Sequence, residues 1–271
     1  MTTTETRPES IPVEPDSGST PSIRDIARYP LPHQSGWLTR VAMRGISMLA
    51  RRQVKVVHGF ENVTVASDPF IIAVSHTIHR EAVLVPTMLM LMRGGRLIHF
   101  LADWNFMLIP GIGWLMRKGG AITVARKSAG PLNFMQPLYR STVSPAQQAR
   151  QILADGRSVG VFPEGTTNRD LDKLLYGRAG TARLSIESGV PVVPVGIRFP
   201  ESAPGRAPAE SAQMEVFVGQ AMVPPPMTGP KPTLSETQAW HAEIMQQIAV
   251  LSDKTWTPRR RSNGAGEDVS A

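Results

Sequence analysis

Residues 74–86 read VSHTIHREAVLVP, a dense polar group wedged between two apolar runs. His76 follows the β-like run IIAVS, so its side chain can stand at a strand end over a cleft. Glu81 comes five residues later, at the start of a helix-like run, where a negative charge is favoured. If residues 76–80 turn tightly, the carboxylate returns to the imidazole. A carboxylate on one ring nitrogen fixes the tautomer and leaves the other nitrogen free to take a proton. Three other readings stand beside this one. His76 can be a satisfied core histidine. His76, His79 and Glu81 can form a metal ligand set, although H-x-x-H-x-E is not the usual H-E-x-x-H helix spacing. Arg80 and Glu81 can be a solvated pair.

Three further stretches hold candidates. In SVGVFPEGTTNRD, residues 158–170, Pro163 stops an apolar strand and Glu164-Gly165-Thr166-Thr167 follows at its end. Ligands bind at that end of open α/β sheets, and a turn glycine lets a substrate approach the backbone. A plain polar loop capped by Glu164 is the alternative. In KGGAITVARK, residues 118–127, a strand ends at Arg126 with Lys118 and Lys127 nearby. A guanidinium there suits phosphate, because it binds bidentately; a surface arginine beyond an edge strand is equally consistent. The run AGTARLSIESGVPVVPVGI, residues 179–197, reads as a helix, a glycine stop and a buried strand.

The elements that must position these residues alternate. Strands are expected at 53–57, 69–75, 96–102, 121–125, 158–162, 191–199 and 214–218. Helices are expected from Glu81 onward, over 144–156 after Ser144-Pro145, over 180–189, and over 233–253 behind a Thr233-to-Glu236 capping box. The class is therefore α/β. Residues 199–213 and 223–232 read as loops. Residues 1–24 and 257–271 read as disordered tails, with a region at 25–52 and the main domain at 53–256.

Within 36–52, Trp37, Leu38, Val41, Ala42, Ile46, Met48 and Leu49 share one half of a helix, and Arg40, Arg44 and Arg51 the other. Arg52 falls inside the apolar arc. Such a helix either packs on its own domain or lies in a membrane interface with its arginines on anionic headgroups.

Bulk composition narrows the classes. The 271 residues include no cysteine, which excludes disulfides and thiolate chemistry. A net charge of +7 suits polyanionic partners. Aromatic residues are few, and no basic run is interleaved with them, so nucleic acid is disfavoured. The N-terminus lacks the apolar core of a signal peptide, and no run is long enough to span a bilayer.

Together, SHTIHRE, GGAITVAR, VFPEGTT and GVPVVPVGI resemble the four boxes of the 1-acylglycerol-3-phosphate acyltransferase family, within the wider glycerolipid and lysophospholipid acyltransferases. They stand in family order across about residues 50–200. The resemblance implies a central mixed sheet flanked by helices, with the N-terminal amphipathic helix on a membrane surface at the cytoplasmic face. It implies O-acyl transfer from acyl-CoA or acyl carrier protein to the hydroxyl of 1-acylglycerol-3-phosphate, giving phosphatidic acid, with no cofactor, metal or covalent acyl-enzyme. His76 would be the base and Glu81 its partner; Arg126, Glu164, Gly165 and Thr166 would bind the acceptor. Ser75 would be a neighbour and not a nucleophile. The methionines of TMLMLM would line an acyl tunnel or simply fill the core. Two positions depart from the family: Glu81 stands for Asp, and Thr167 for Arg, with Arg169 two residues on. The departures leave open another lysophospholipid or alcohol acceptor, thioester hydrolysis, or a non-catalytic lipid-binding relative.

Overall fold

The structure, a computed structural model, describes residues 20–109, 111–125, 130–139, 142–202 and 206–258. In chain order the elements are α1 (Ile23–Arg28), α2 (Trp37–Gln53), β1 (Val54–His58), β2 (Ile71–Val74), α3 (Glu81–Met92), β3 (Ile98–Asp103), α4 (Ile112–Lys118) and β4 (Ile122–Val124). Then follow α5 (Gln136–Tyr139), α6 (Pro145–Ala154), β5 (Ser158–Val161), α7 (Gly180–Ser188), β6 (Val192–Arg198), β7 (Met214–Val218) and α8 (Leu234–Ser252). All seven expected strands form, with small shifts at their ends. Ser144 caps α6 by accepting from the Gln147 amide, and Thr233 and Glu236 close the capping box of α8.

The strands form one sheet in the order β1-β7-β6-β2-β5-β3-β4. Every pair is parallel except β6 with β7, so the sheet is mixed. The strand period of two splits the core into two layers. Ile72 and Val74 of β2 face a layer that holds α3 and the inner side of α2, while Ile71 and Ala73 face α6, α7 and α8. With both faces covered, the central strands read as continuous apolar runs.

The central pairing decides where the site lies. β2 sits between β5 and β6, with Ala73 opposite Val161 on one side and Val74 opposite Val195 on the other. The loops that leave the carboxyl ends of β2 and β5 therefore meet, although 88 residues separate His76 from Glu164. At the opposite edge of these strands the Asp68 carboxylate accepts from Arg93, Arg96 and the Ser158 hydroxyl. Ser158 Oγ in turn accepts the Phe70 amide at 3.1 Å, which ties β2 to β5 at their starts.

One sequence expectation changes. The tail assigned to residues 1–24 ends sooner, because the Thr20 hydroxyl accepts the Val57 amide and Ser22 caps α1, whose Ile26 is buried. The apolar arc of α2 is divided: Ile46 and Met48 pack partly on the core, while Trp37 is 71% exposed and Leu38, Val41 and Leu49 are exposed beside it. Met43, Ser47, Ala50 and Gln53 form the buried side of the helix. Of the arginines opposite, Arg40 donates to the Gln34 carbonyl, Arg44 to that of Tyr29 and Arg51 to that of Val54. Among the described residues no helix is long and apolar enough to cross a membrane.

Helix α8 lies so close to β6 that only glycine fits at position 196. A Cβ there would run into the Leu251 carbonyl and the Ser252 nitrogen, which are backbone and cannot rotate away. Gly196→Ala is expected to cost about 1–3 kcal/mol by forcing the helix off the sheet. Calorimetry would show this as a lowered unfolding midpoint; an unchanged midpoint would disprove the direct contact.

Candidate functional site

The loop after β2 builds the dyad that the sequence spacing anticipates. His76 Nδ1 lies 2.9 Å from Glu81 Oε1, and the Thr77 amide donates to the same oxygen. Glu81 is the first residue of α3, so the helix N-terminus favours its charge. It is 0% exposed, and burial pushes its pKa up against the opposing pull of His76 and the Thr77 and Ile78 amides. Its second oxygen has no hydrogen-bond partner among the described residues. The His76 side chain is 14% exposed and lies against the Phe162 ring, with 4.6 Å between centroids. With Nδ1 donating to Glu81, Nε2 is a lone-pair base on a ring that lines the main cavity.

Glu81 is not half of a solvated pair with Arg80, since it is fully buried. His79 turns to a different carboxylate: its Nδ1 stands 3.1 Å from Glu210 Oε1, and no cluster of metal-ligating side chains occurs among the described residues. Ser75 is buried, and its hydroxyl accepts the Ile197 amide at 3.0 Å. It braces β6 and does not line the cavity.

Glu164 is placed differently from its expected role as acceptor binder. It is buried, and both its oxygens serve the protein itself. Oε1 accepts the His76 amide at 3.0 Å; Oε2 accepts the Asn168 side-chain amide and the Leu175 backbone amide, each at 2.9 Å. Asn168 returns its own backbone N–H to the His76 carbonyl at 2.7 Å. Glu164 thus clamps the His76 loop to the loop after β5. Gly165 and Thr166, by contrast, line the cavity, with Thr167 beside them. Gly165 has φ +72°, and a Cβ on it would meet Arg178 Nε at 3.0 Å. The turn therefore needs glycine both for its backbone and for the arginine laid against it. Arg126 lies outside the described residues.

The cavity, of about 350 Å³, is lined by polar and apolar side chains together. The polar ones are His76, His79, Thr87, Asp103, Thr166, Thr167, Arg178 and Thr181. Among the apolar ones are Val83, Pro86, Met90, Phe100, Phe106, Leu115 and Leu184. Of the methionines in TMLMLM, Met90 reaches this wall, while Met88 and Met92 belong to the core.

Arg178 carried no sequence signal, being a basic residue before a helix. Glu210 was hidden in a Pro-rich loop. Its carboxylate accepts the His79 and Arg80 amides, pairs with the His79 ring and accepts from Arg169 at 2.7 Å. Burial opposes its charge, but these donors hold the carboxyl below the usual range. Arg169, the basic residue nearest to the family's missing arginine, is thereby engaged at the rim.

The model of the family described as Acyltransferase matches residues 54–198. The chain is 32% identical over 139 residues to the 1-acyl-sn-glycerol-3-phosphate acyltransferase BAT2, chloroplastic, of Brassica napus, and 31% identical over 139 residues to LPAT1, chloroplastic, of Arabidopsis thaliana. Each match takes in 51% of this chain, and the chain spans only about a third of those relatives, 36% and 34%. Among solved structures, the 1-acyl-sn-glycerophosphate (LPA) acyltransferase PlsC of Thermotoga maritima shares the fold, with TM-score 0.52, 18% identity, and coverage of 81% of this chain and 83% of that one. The matched segment contains the dyad, the Glu164 clamp and every strand of the sheet except β7. On these matches the chain belongs to the acyltransferase family.

Proposed function

We propose that this protein is an O-acyltransferase that moves a fatty acyl group from a thioester, acyl-CoA or acyl carrier protein, to the free hydroxyl of 1-acylglycerol-3-phosphate. The observation that carries the proposal is the His76–Glu81 dyad, whose imidazole lines a largely apolar cavity that also holds Thr166, Thr167 and Arg178. The names of the relatives support the choice of acceptor.

In this reading His76 Nε2 takes the hydroxyl proton as the oxygen attacks the thioester carbonyl carbon. A C–O bond forms, the C–S bond breaks, and His76 returns the proton to the departing sulfur. Glu81 holds the ring and stabilises its charged form. Arg178, whose guanidinium has no acceptor among the described residues, supplies a cation in the cavity wall for the acceptor's phosphate. The family resemblance assigns the same role to Arg126, while Glu164 holds the loop and leaves contact with the acceptor to others. The apolar share of the lining suits an acyl chain.

We also propose attachment to a membrane surface through α2. Its exposed Trp37, Leu38, Val41 and Leu49 form a continuous apolar stripe with Arg52 among them, and the chain carries net charge +7. An apolar stripe left uncovered by its own domain is costly in water and favourable at a lipid interface.

His76→Ala is expected to lower acceptor-dependent thiol release from oleoyl-CoA by about 100- to 10,000-fold with unchanged thermal unfolding. Parental turnover in a folded variant would end the mechanism. Glu81→Gln should be less damaging if the residue only orients the ring. It should also stabilise the fold near neutral pH. Because burial raises the pKa of Glu81, its contribution to stability is present at acid pH and lost as pH rises through that raised value. The advantage of the variant should therefore vanish on acidification, when the parent carboxyl is also neutral. Urea midpoints at neutral and acid pH decide this, and a Gln variant weaker than the parent at neutral pH contradicts it. Co-flotation with anionic vesicles is expected at low salt, weakened by added salt and by the double change Trp37→Ala with Leu38→Ala. Absence of flotation at low salt would remove the membrane proposal.

A further inference from the structure

Glu81 and Glu164 place two buried carboxylates beneath one loop, and a buried charge needs a partner. His76 can neutralise Glu81 only when protonated, which in the proposed cycle happens during turnover. A second basic group lies against the same loop. Lys254 is 7% exposed, and its Nζ donates to Thr77 Oγ1 at 3.0 Å and to the Asp170 carbonyl at 2.7 Å. Thr77 is the residue whose amide holds Glu81, and Asp170 lies two residues after the Asn168 that holds Glu164. One ammonium therefore stitches together the two loops that make the site.

The chain goes to some length to put it there. Helix α8 is pressed onto β6 at Gly196 and ends at Asp253 in the left-handed conformation, with φ 56°. The Lys254 amide then bonds back to the Ala249 carbonyl, and Thr255 donates its amide to the Asp172 carbonyl at 2.7 Å. Burial pulls the pKa of Lys254 down, while Glu164, Glu81, Asp170 and Asp172, in decreasing order, act to hold its proton.

We infer that Lys254, which lies beyond the segment matched by the family, is a positioning residue of the site: it fixes Thr77 and keeps Glu81 ionised beneath His76. The inference deepens the acyltransferase reading and rests on it for the catalytic consequence. Its charge balance stands independently, because Glu81 must hold or release a proton whatever the reaction.

The test compares Lys254→Met with Lys254→Arg. In the Met variant the ammonium bound to Thr77 is gone, and Glu81 should carry a proton near neutral pH. Infrared spectra should then show a protonated-carboxyl band that is absent from the parent and from Lys254→Met combined with Glu81→Gln. Turnover near neutral pH should fall about tenfold for each unit by which the carboxyl is displaced. It should recover as pH rises, because the acid limb of kcat/KM moves to higher pH. Lys254→Arg should restore the limb. Absence of the band overturns the inference, with or without turnover. The band in a protein whose parent transfers no acyl group supports the charge balance and removes only the acyltransferase reading. Should Lys254→Met not fold, Thr77→Val severs the same contact with the ammonium kept. Lower turnover with an unmoved acid limb is then expected, and parental turnover overturns the inference.

Discussion

Everything at the active end of this protein hangs on one buried carboxylate. Glu164 accepts the His76 amide on one oxygen and the Asn168 and Leu175 amides on the other. Backbone N–H groups leaving a sheet must find acceptors, and a carboxylate can satisfy several at once. The strand order makes the arrangement possible, since β2 and β5 are neighbours and release their loops side by side. A shorter carboxylate at 164 would have to span the same gap with one methylene fewer.

The dyad is built against the grain of folding. A fully buried Glu81 with one oxygen unpartnered among the described residues is a local cost that the sheet and its two helical layers must carry. The same burial removes water from the His76–Glu81 contact, which strengthens it electrostatically. The cavity beside the dyad mixes hydroxyls, imidazoles, a carboxylate and a guanidinium with a larger share of apolar walls.

Much of this was legible from sequence. The strands were readable because each is a short β-branched run bounded by turn residues, and the helices over 81–92, 145–154, 180–188 and 234–252 because caps and glycines mark their ends. The five-residue spacing of His76 and Glu81 was enough to foresee their contact. Strand order was not readable, since periodicity fixes which face a residue occupies and not which strand lies beside it. For that reason the inward turn of Glu164 was invisible: its donors come from residues 76, 168 and 175. Lys254 was hidden for the same cause, being brought to Thr77 across 177 residues by helix packing. The orientation of α2 was out of reach because an amphipathic pattern shows that two faces differ and not which one meets the domain. Its buried side, with Ser47 and Gln53, is not its most apolar one.

The strand order carries a consequence for how the chain is made. β1 occupies one edge of the sheet, and its neighbour there is β7, the last strand of this sheet in chain order. During synthesis β1 has no strand of the sheet to pair with until residues 214–218 emerge, so the sheet closes only after β7 is made. Until then α2, which runs directly into β1, is joined to an unfinished sheet, and the side that carries Met43 and Ala50 is uncovered as well as the Trp37 side. A nascent chain in that state offers an apolar surface to whatever is nearby. Its earliest encounters, with a bilayer or with a chaperone, are therefore set by the order in which the strands are synthesised.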